Sequence, residues 1–507
     1  MSIALIAIVV LFCVGYLVIA LEHPLHVDKA ATALFIGVGC WTIYALNLNG
    51  LMSLDTIPGW FQEEIAEEHA EHAAHEDADH GGGTHGAEAG EKIEDAGHIA
   101  GGLTAESSHP VPVDDPDFVL ELKRKYLLEG QLHVLLAEIS EILFFLLGAM
   151  TIVELVDAHE GFAVITSRIN ANSKVKLLWM TSWLSFFMSA VLDNLTSTIV
   201  MVSLIRKLVA DEKSRLLFVG MVVVAANAGG AWTVIGDVTT TMLWIGGKLS
   251  VIGVIKAVIL PSIVCLLLPL LLLSLTQKGQ AFTPRDSVSS ALGSGDTPFT
   301  QRLFLGLGLC GLLSVPVFKL VTHLPPFVGM LGSLAVLWIV SDVIRRNLDE
   351  DRRTSTNVVH VLRKVDSASI LFFMGILLAV GSLQATGLLA TLAEKLDAAI
   401  GNRTIVAIGT GLFSAIVDNV PLVAAGIEMY TEPMDAPFWL LLAYTAGTGG
   451  SCLIIGSAAG VAAMGLEKIT FGYYLKKIAP LALLGYAAGV AVFLAQWKFA
   501  PAVFGLE

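Results

Sequence analysis

The sequence predicts an all-α polytopic membrane protein built from two inverted-topology repeats. Each repeat has five transmembrane helices plus one re-entrant hairpin, with broken helices at the midplane. Three observations predict this. Of 507 residues, 55% are hydrophobic and 15% charged, with mean hydropathy +0.74, against about 25% charged residues in a soluble domain. A pair of polar signatures occurs twice in apolar sequence: Asp193-Asn194-Leu195-Thr196 followed by Ala226-Asn227-Ala228-Gly229-Gly230, and Asp418-Asn419-Val420-Pro421 followed by Gly447-Thr448-Gly449-Gly450. The basic residues sort to one side of the membrane best when both Asp-Asn segments turn back on themselves.

A span needs about 20 apolar residues. Ser2–Leu21 is an uncharged run without a basic n-region or a clear small-residue cleavage site, so it is read as a retained first span rather than a cleaved signal peptide. Ala31–Leu54 is the second. Residues 1–54 thus hold the first two helices of repeat one. Residues 55–125 form a His- and acid-rich loop. Twelve acids and one Lys between Phe61 and His98 account for −11 of the net charge of −15. Its low hydrophobicity argues for mobility, with a short surface helix around Glu63–Glu76. The rest of repeat one occupies residues 126–276, with spans at Leu132–Val156, Leu216–Ile245 (broken at Gly229-Gly230) and Val251–Leu275, and a hairpin at 177–205. A linker covers 277–300. Repeat two covers 301–507, with spans at Leu303–Val321, Phe327–Ile344, Ser367–Leu392, Ala436–Leu466 (broken at Gly449-Gly450) and Ile478–Trp497, and a hairpin at 404–427. The five cysteines fall inside apolar spans and show no disulfide or metal spacing.

The halves align. Ile142-Leu143-Phe144-Phe145 answers Ile370-Leu371-Phe372-Phe373, and the offsets of this landmark, the Asp-Asn pairs and the Gly-Gly pairs are 228, 225 and 220 residues. Leu177–Ile205 is either one helix with a buried Asp or a hairpin with Asp-Asn at its tip. The arm Leu177–Leu192 rises only ~24 Å. Setting aside Lys92 and Lys123 to Lys125 in the long loop, the remaining 26 Lys and Arg divide 20 to 6 between the two sides with hairpins and 14 to 12 with spans. The hairpins are therefore preferred. They place Arg206-Lys207, Arg345-Arg346, Arg352-Arg353, Arg363-Lys364 and Lys476-Lys477 in the cytoplasm, and both termini and the His-rich loop outside. The linker is then cytoplasmic. Five spans per half is odd, so the halves are inverted, with a substrate site where hairpin tips meet broken spans.

An ionised Asp in a dry bilayer costs several kcal/mol. Asp193 and Asp418 are therefore expected to bind a cation, carry a proton or alternate between the two; capping the second arm of the hairpin is compatible with each role. Asn194 and Asn419 offer oxygens to a cation or bond locally. Asp237 lies two turns after Gly230 and has no basic residue within a turn, so it is the leading proton carrier or cation ligand. Thr239, Thr240 and Thr241 follow it. The second half has Gly456-Ser457 at the matching place, so the site is asymmetric. Asn227, Thr196, Ser414, Thr448 and Ser451 either supply ligands or bond their own helix carbonyls. Glu154 is a candidate access relay, and Asp157 suits a solvated mouth; Glu138 and Glu141 stand near the outer end of the same span. His69, His72 and His75 share a helical face, which suits metal chelation, pH sensing or a solvated acidic loop.

Neither signature contains Lys or Arg, and three intramembrane Asp residues favour a cation. Hard oxygen ligands suit Na⁺ or Li⁺. No GxxxxGK[ST] loop is present, which argues against an ATP-driven pump. Exchanging a proton for a metal ion on a carboxylate gives antiport, and no cofactor is needed. The expected partners are the bilayer, Na⁺ or Li⁺ and protons, with no nucleic acid.

Asp193-Asn194-Leu195-Thr196-Ser197, Asn227-Ala228-Gly229-Gly230-Ala231-Trp232 with Ile235-Gly236-Asp237-Val238-Thr239-Thr240-Thr241, and Asp418-Asn419-Val420-Pro421 resemble the signatures of NhaD-type sodium/proton antiporters of the ion transporter superfamily. The resemblance runs from about Val27 to the C-terminus, except Asp55–Asp117. It implies an inverted-repeat secondary transporter, not an enzyme, that exchanges Na⁺ or Li⁺ for H⁺ at a bacterial inner membrane and serves sodium and alkali tolerance. It implies functional roles for Asp193, Asn194, Asn227, Asp237, Thr239, Thr240, Ser414 and Asn419, with Na⁺ held at Asp193, Asp237, Asn194 and Asn419, and by superfamily analogy a homodimer. Dicarboxylate carriers of the superfamily have Ser-Asn-Thr at both tips; here Asp replaces the Ser, and Leu195 and Val420 occupy the third positions. An anion or metalloid carrier is the rival within the fold. An intramembrane aspartyl protease is the rival outside it, but its Gly-x-Gly-Asp is Val234-Ile235-Gly236-Asp237 here.

Overall fold

The structure, a computed structural model, describes residues 2–20, 27–80, 115–166, 173–277, 297–346, 353–354, 356–416 and 419–504. The chain is an all-helical polytopic membrane protein, and eight of the described helices are long and apolar enough to cross a bilayer. In order, α1 (Ile3–Ala20) is a shorter apolar helix and α2 (Lys29–Leu46) is the first of the eight. α2 stops at Leu46 rather than Leu54, giving way to short turns at Leu48–Leu51 and Leu54–Thr56. The next two helices are α3 (Gly59–His80) and α4 (Pro116–Lys125). α4 continues through a wider π-type turn, Tyr126–His133, into α5 (Val134–Ala158). Then come α6 (Lys174–Leu192), α7 (Asn194–Leu208), α8 (Glu212–Gly230), α9 (Val238–Ile245) and α10 (Val251–Gln277). The second half holds α11 (Pro298–Thr322), α12 (Pro326–Arg345), α13 (Ser367–Ala385), α14 (Leu388–Ile400), α15 (Arg403–Phe413), α16 (Asn419–Met429), α17 (Pro437–Gly449), α18 (Ala458–Glu467), α19 (Phe471–Lys477) and α20 (Ala479–Phe499). The expected span Ser367–Leu392 is two helices: Gly387, at φ +73°, breaks it after Ala385. All five cysteines are free.

Two compact units are distinguishable. One comprises Met1–Val9 with Thr42–Leu136, the other Val10–Trp41 with Ala137–Glu507. Within the first, α3 covers the surface helix expected around Glu63–Glu76, while residues 81–114 of the expected loop lie outside the described residues. Phe61 and Ile65 of α3 and Phe118 and Leu122 of α4 are buried, and Phe61 meets the Tyr126 ring edge-on at 5.3 Å. The described acids Glu63, Glu64, Glu67 and Glu68 are exposed while Phe61 and Ile65 beside them are buried, so a composition window misses the apolar stripe. Lys125 pairs with Glu68, and His69 lies 3.5 Å from Glu121 and against the Phe118 ring. His69 makes these contacts from an exposed position. The side chains of His72, His75 and His80, and all of His85 and His98, lie outside the described residues.

In the larger unit, side-chain caps start many helices. Ser173 accepts from Lys176 N (3.2 Å), Asp211 from Ser214 N (2.9 Å), Asp366 from Ser369 N (3.1 Å) and Asn402 from Thr404 N (2.9 Å). Each satisfies an amide that a helix N-terminus leaves open. The Ser214 hydroxyl and amide hold the Asp211 carboxyl below the ordinary carboxylate range.

Polar contacts at the helix ends determine how the chain turns. Lys174, which starts α6, is within electrostatic reach of Asp211, which caps α8. Arg206 near the end of α7 and Arg215 near the start of α8 both pair with Glu467 at the end of α18. So α6 and α7 form a hairpin whose two ends lie on one face, beside the start of α8 and the end of α18. On the opposite face, Asp435 before α17 donates its amide to Lys248 O (3.0 Å) and accepts from Ser250 N (2.7 Å). There Arg403, which starts α15, pairs with Glu432, which follows α16. The start of α15 and the end of α16 thus meet at the second face. α8–α9 and α17–α18 run in opposite directions. Within this frame α7 packs on α18 and α16 on α9.

Glu467 is buried with 3% of its side chain exposed. Replacing Glu467 by Ala leaves Arg215, 22% exposed, with only the carbonyls of Val209 and Ala210, a loss of about 1.5–3 kcal/mol for a hydrogen bond to a charged group. The Glu467→Ala protein is expected to melt several degrees lower in detergent than the parent; an unchanged midpoint would contradict the lock.

Candidate functional site

The site forms where the first hairpin tip meets both helix breaks. α6 ends because Asp193 adopts φ 85°, ψ 162°, a region that non-glycine residues rarely occupy. The carboxylate compensates locally. Oδ1 accepts from Thr196 N (2.7 Å) and Oδ2 from Thr196 Oγ1 (3.0 Å), which caps α7. The capping role of Asp193 is what the geometry shows, and Thr196 is the hydroxyl that serves it.

Asn194 then points into the protein interior. Its Nδ2 donates to Asn227 Oδ1 (3.1 Å) and to Asp237 Oδ2 (2.7 Å). Asn227, in the last turn of α8, donates from Nδ2 to Ser451 Oγ and Ser457 Oγ, both at 2.9 Å. Asp237, 1% exposed, caps α9: its Oδ1 accepts from Thr239 N (2.9 Å) and Thr239 Oγ1 (2.7 Å). Ser457 caps α18 and accepts from Gly460 N (3.2 Å). One chain of hydrogen bonds therefore joins the hairpin tip, both sides of the first break and the second break. Asp237 and Ser457 stand at equivalent places, each at the N-terminus of the second half of a broken helix. That end carries partial positive charge, which favours the Asp237 carboxylate.

The two halves repeat their packing. Ser189 Oγ donates to Ala226 O (2.6 Å), and Ser414 Oγ donates to Ala446 O (3.0 Å). A Cβ on Gly229 would lie 2.1 Å from Phe186 O, and one on Gly449 would lie 1.9 Å from Gly411 O. In each half, the hairpin's first arm presses its backbone onto the Gly-Gly turn of the broken helix.

The structure brings together Asn194, Asn227, Asp237, Thr239 and Ser451. Other expected ligands have backbone partners instead. Thr448 Oγ1 donates to Tyr444 O (2.6 Å), Thr240 Oγ1 to Asp237 O (2.8 Å), and Ser414 is held as above. Asn419 is buried as the first residue of α16, the helix that packs on α9. Asp418 lies outside the described residues. Ser457 is not among the expected ligands. Its signal is its offset of 220 residues from Asp237, the same as between the Gly-Gly pairs.

Asp193 and Asp237 are close enough to feel each other's charge. Two carboxylates in such proximity are relieved by a proton or a metal cation. Beside them a cavity of about 490 Å³ extends to Thr196 and Ala458, the neighbours in sequence of the hairpin tip and of Ser457. Glu154 and Asp157 both line it.

A family model described as "Citrate transporter" (CitMHS) matches residues 16–447. The chain is 52% identical over 364 residues to Sodium/proton antiporter 1 of Arabidopsis thaliana, covering 71% of this chain and 62% of that one. It is 34% identical over 386 residues to the Na(+)/H(+) antiporter NhaD of Vibrio cholerae, covering 71% and 79%. The chain thus spans less than two thirds of the plant relative's length. The crystal structure of the YdaH transporter of Alcanivorax borkumensis shares the fold: TM-score 0.51 at 12% identity, over 87% of this chain and 97% of that one.

Proposed function

Because the chain belongs to the family of NhaD-type sodium/proton antiporters, within the ion transporter superfamily, we propose that it exchanges cytoplasmic Na⁺ or Li⁺ for external H⁺ across a bacterial inner membrane. In this reading it is a secondary transporter serving sodium and alkali tolerance. The observation that carries the reading is the buried Asp237 carboxylate, bonded to Asn194 and within electrostatic reach of Asp193 at the hairpin tip. Na⁺ replaces a proton between the two carboxylates, with the Asn194, Asn227 and Asn419 side chains supplying neutral oxygen. Protonation of Asp237 removes the charge and releases the ion. Thr239 holds Oδ1 of Asp237, so Oδ2, the oxygen facing Asn194, is the one that exchanges.

The opposed directions of α8–α9 and α17–α18, and the ends of α6–α7 and α15–α16 at opposite faces, support two inverted repeats within residues 1–276 and 301–507. The face with Arg206 and Arg215 is then cytoplasmic, and the His-rich segment external. The description of the matching family model names an anion. An anion site wants a cation or bare helix N-termini with no carboxylate nearby, whereas both signatures lack Lys and Arg and the buried Asp237 carboxylate caps the N-terminus of α9.

Everted vesicles with a respiration-driven pH gradient test the reading. Added Na⁺ or Li⁺ is expected to dissipate the gradient at neutral and alkaline pH, and citrate to leave it unchanged. A gradient insensitive to both cations would overturn antiport; dissipation by citrate would favour the anion carrier.

A further inference from the structure

The cavity beside the site does more than touch it. α5 presents Met150, Glu154 and Asp157 on one face, at spacings of four and three residues. At 1.5 Å per residue, these three descend about 10 Å from the membrane face into the protein. Asp157 is exposed, Glu154 partly buried, and Met150 also borders the small pocket that contains Asp193. α18 forms the facing wall with Ala458, Ala462 and Gly465, whose small side chains leave the space open. At ~30 Å³ per liquid water, the volume of about 490 Å³ holds on the order of fifteen waters.

The charge of this passage opposes that of the face around it. Arg206, Arg215 and Arg363 mark that face as basic, as the orientation of the chain requires. Within the passage, Asp28, Glu154, Asp157 and Asp366 face Lys29 and Lys364, a local excess of two negative charges. Glu154 is within electrostatic reach of both Asp157 and Lys364. Below it the walls are apolar, formed by Leu195, Ile199 and Val461. An acidic lining between low-dielectric walls concentrates cations and repels anions.

We propose that this passage is the aqueous route between the Arg206 face and the site, and that Glu154 determines its charge selectivity. The inference rests on the cation-exchange reading for its physiological meaning, but the route can be tested without it. The cavity, continuous from Asp157 to Thr196, carries the proposal; the acids account for its selectivity. Glu154 stands past the mouth and short of the hairpin tip. A cation entering from the mouth loses water there before meeting Asp193 and Asn194.

The test uses the full-length protein with Ala462→Cys, in inverted vesicles that expose the Arg206 face. Thiol-reactive methanethiosulfonates of matched size, one cationic and one anionic, report access. The parent protein, with its own cysteines, sets the background. Ala462→Cys is expected to react at least about tenfold faster with the cationic reagent, a difference of ~1.4 kcal/mol. Adding Glu154→Gln is expected to cut that preference several-fold, and Glu154→Asp to retain it. In transport, Glu154→Gln should raise the Na⁺ concentration for half-maximal exchange about fivefold at little changed maximal rate, a split that a general loss of structure would not give. An unreactive Cys at position 462, or a preference indifferent to Glu154→Gln, overturns the proposal. A charge-selective passage in a protein that moves no Na⁺ would overturn the exchange reading instead.

Discussion

Asp237→Asn is expected to lower the apparent affinity for Na⁺ by at least a hundredfold while leaving the protein folded. The variant keeps the shape of the side chain. Its Oδ1 still accepts from Thr239 N and Oγ1, so α9 keeps its cap. Two things change at the other atom. The charge that a cation would neutralise is lost: a unit pair at ~4 Å with an effective dielectric near 20 is worth about 4 kcal/mol, or roughly three decades in binding. The amide that replaces Oδ2 also faces Asn194 Nδ2, donor against donor, where a 2.7 Å hydrogen bond stood. Asn194 must then turn, and the disturbance passes to Asn227 and on to Ser451 and Ser457. Na⁺-dependent dissipation of a pH gradient over a range of Na⁺ concentrations, read beside the thermal midpoint in detergent, separates loss of binding from loss of fold. Half-saturation like that of the parent would remove Asp237 from the site.

How much of the site is legible in the sequence depends on what each residue type can do. Asp237 stands out because an acid two turns beyond a Gly-Gly break, with no basic neighbour, has little to do there except hold a cation or a proton. The structure places it 1% exposed in the cluster. Asp193 is ambiguous in sequence, since an Asp before a helix suits both a cap and a ligand, and only the backbone at φ 85° reveals how fully Thr196 uses it. Ser414 and Thr448 read as ligands but bond carbonyls, because a hydroxyl has the same signature in either role. The broken span at Gly387 escapes sequence reading for a different reason. The apolar run continues through Leu388, Leu389 and Ala390, and hydropathy does not register a single positive φ. The α3–α4 pair escapes it because its contacts, Phe61 with Tyr126 and His69 with Phe118, join residues far apart in sequence.

Gly449→Ala is expected to destabilise the protein by at least ~2 kcal/mol, whereas Gly409→Ala, two residues before the carbonyl it would strike, should be neutral or stabilising. A Cβ on Gly449 falls 1.9 Å from Gly411 O and 2.7 Å from Gly411 C. These are backbone atoms in α15, so the clash is relieved only by moving the hairpin arm. Overpacking of this kind costs about 1–3 kcal/mol or more. The displacement has further consequences. Thr445 Oγ1 reaches Ala407 O at 2.9 Å and Ser414 Oγ reaches Ala446 O at 3.0 Å only because α15 and α17 lie so close. Small residues provide this approach where lipid supplies no hydrophobic drive between helices. Gly409, on the same arm, has nothing within 4 Å of its Cβ position, and Ala there gains up to ~1 kcal/mol of helix propensity. Thermal midpoints of the two variants in detergent decide the matter: equal stability would mean the arm is free to shift. The site depends on that arm being fixed, because Ser451 and Ser457, which hold Asn227, belong to the turn that Gly449 opens. Exchange in Gly449→Ala is therefore expected to fall more than tenfold, although the variant removes no side chain of the site.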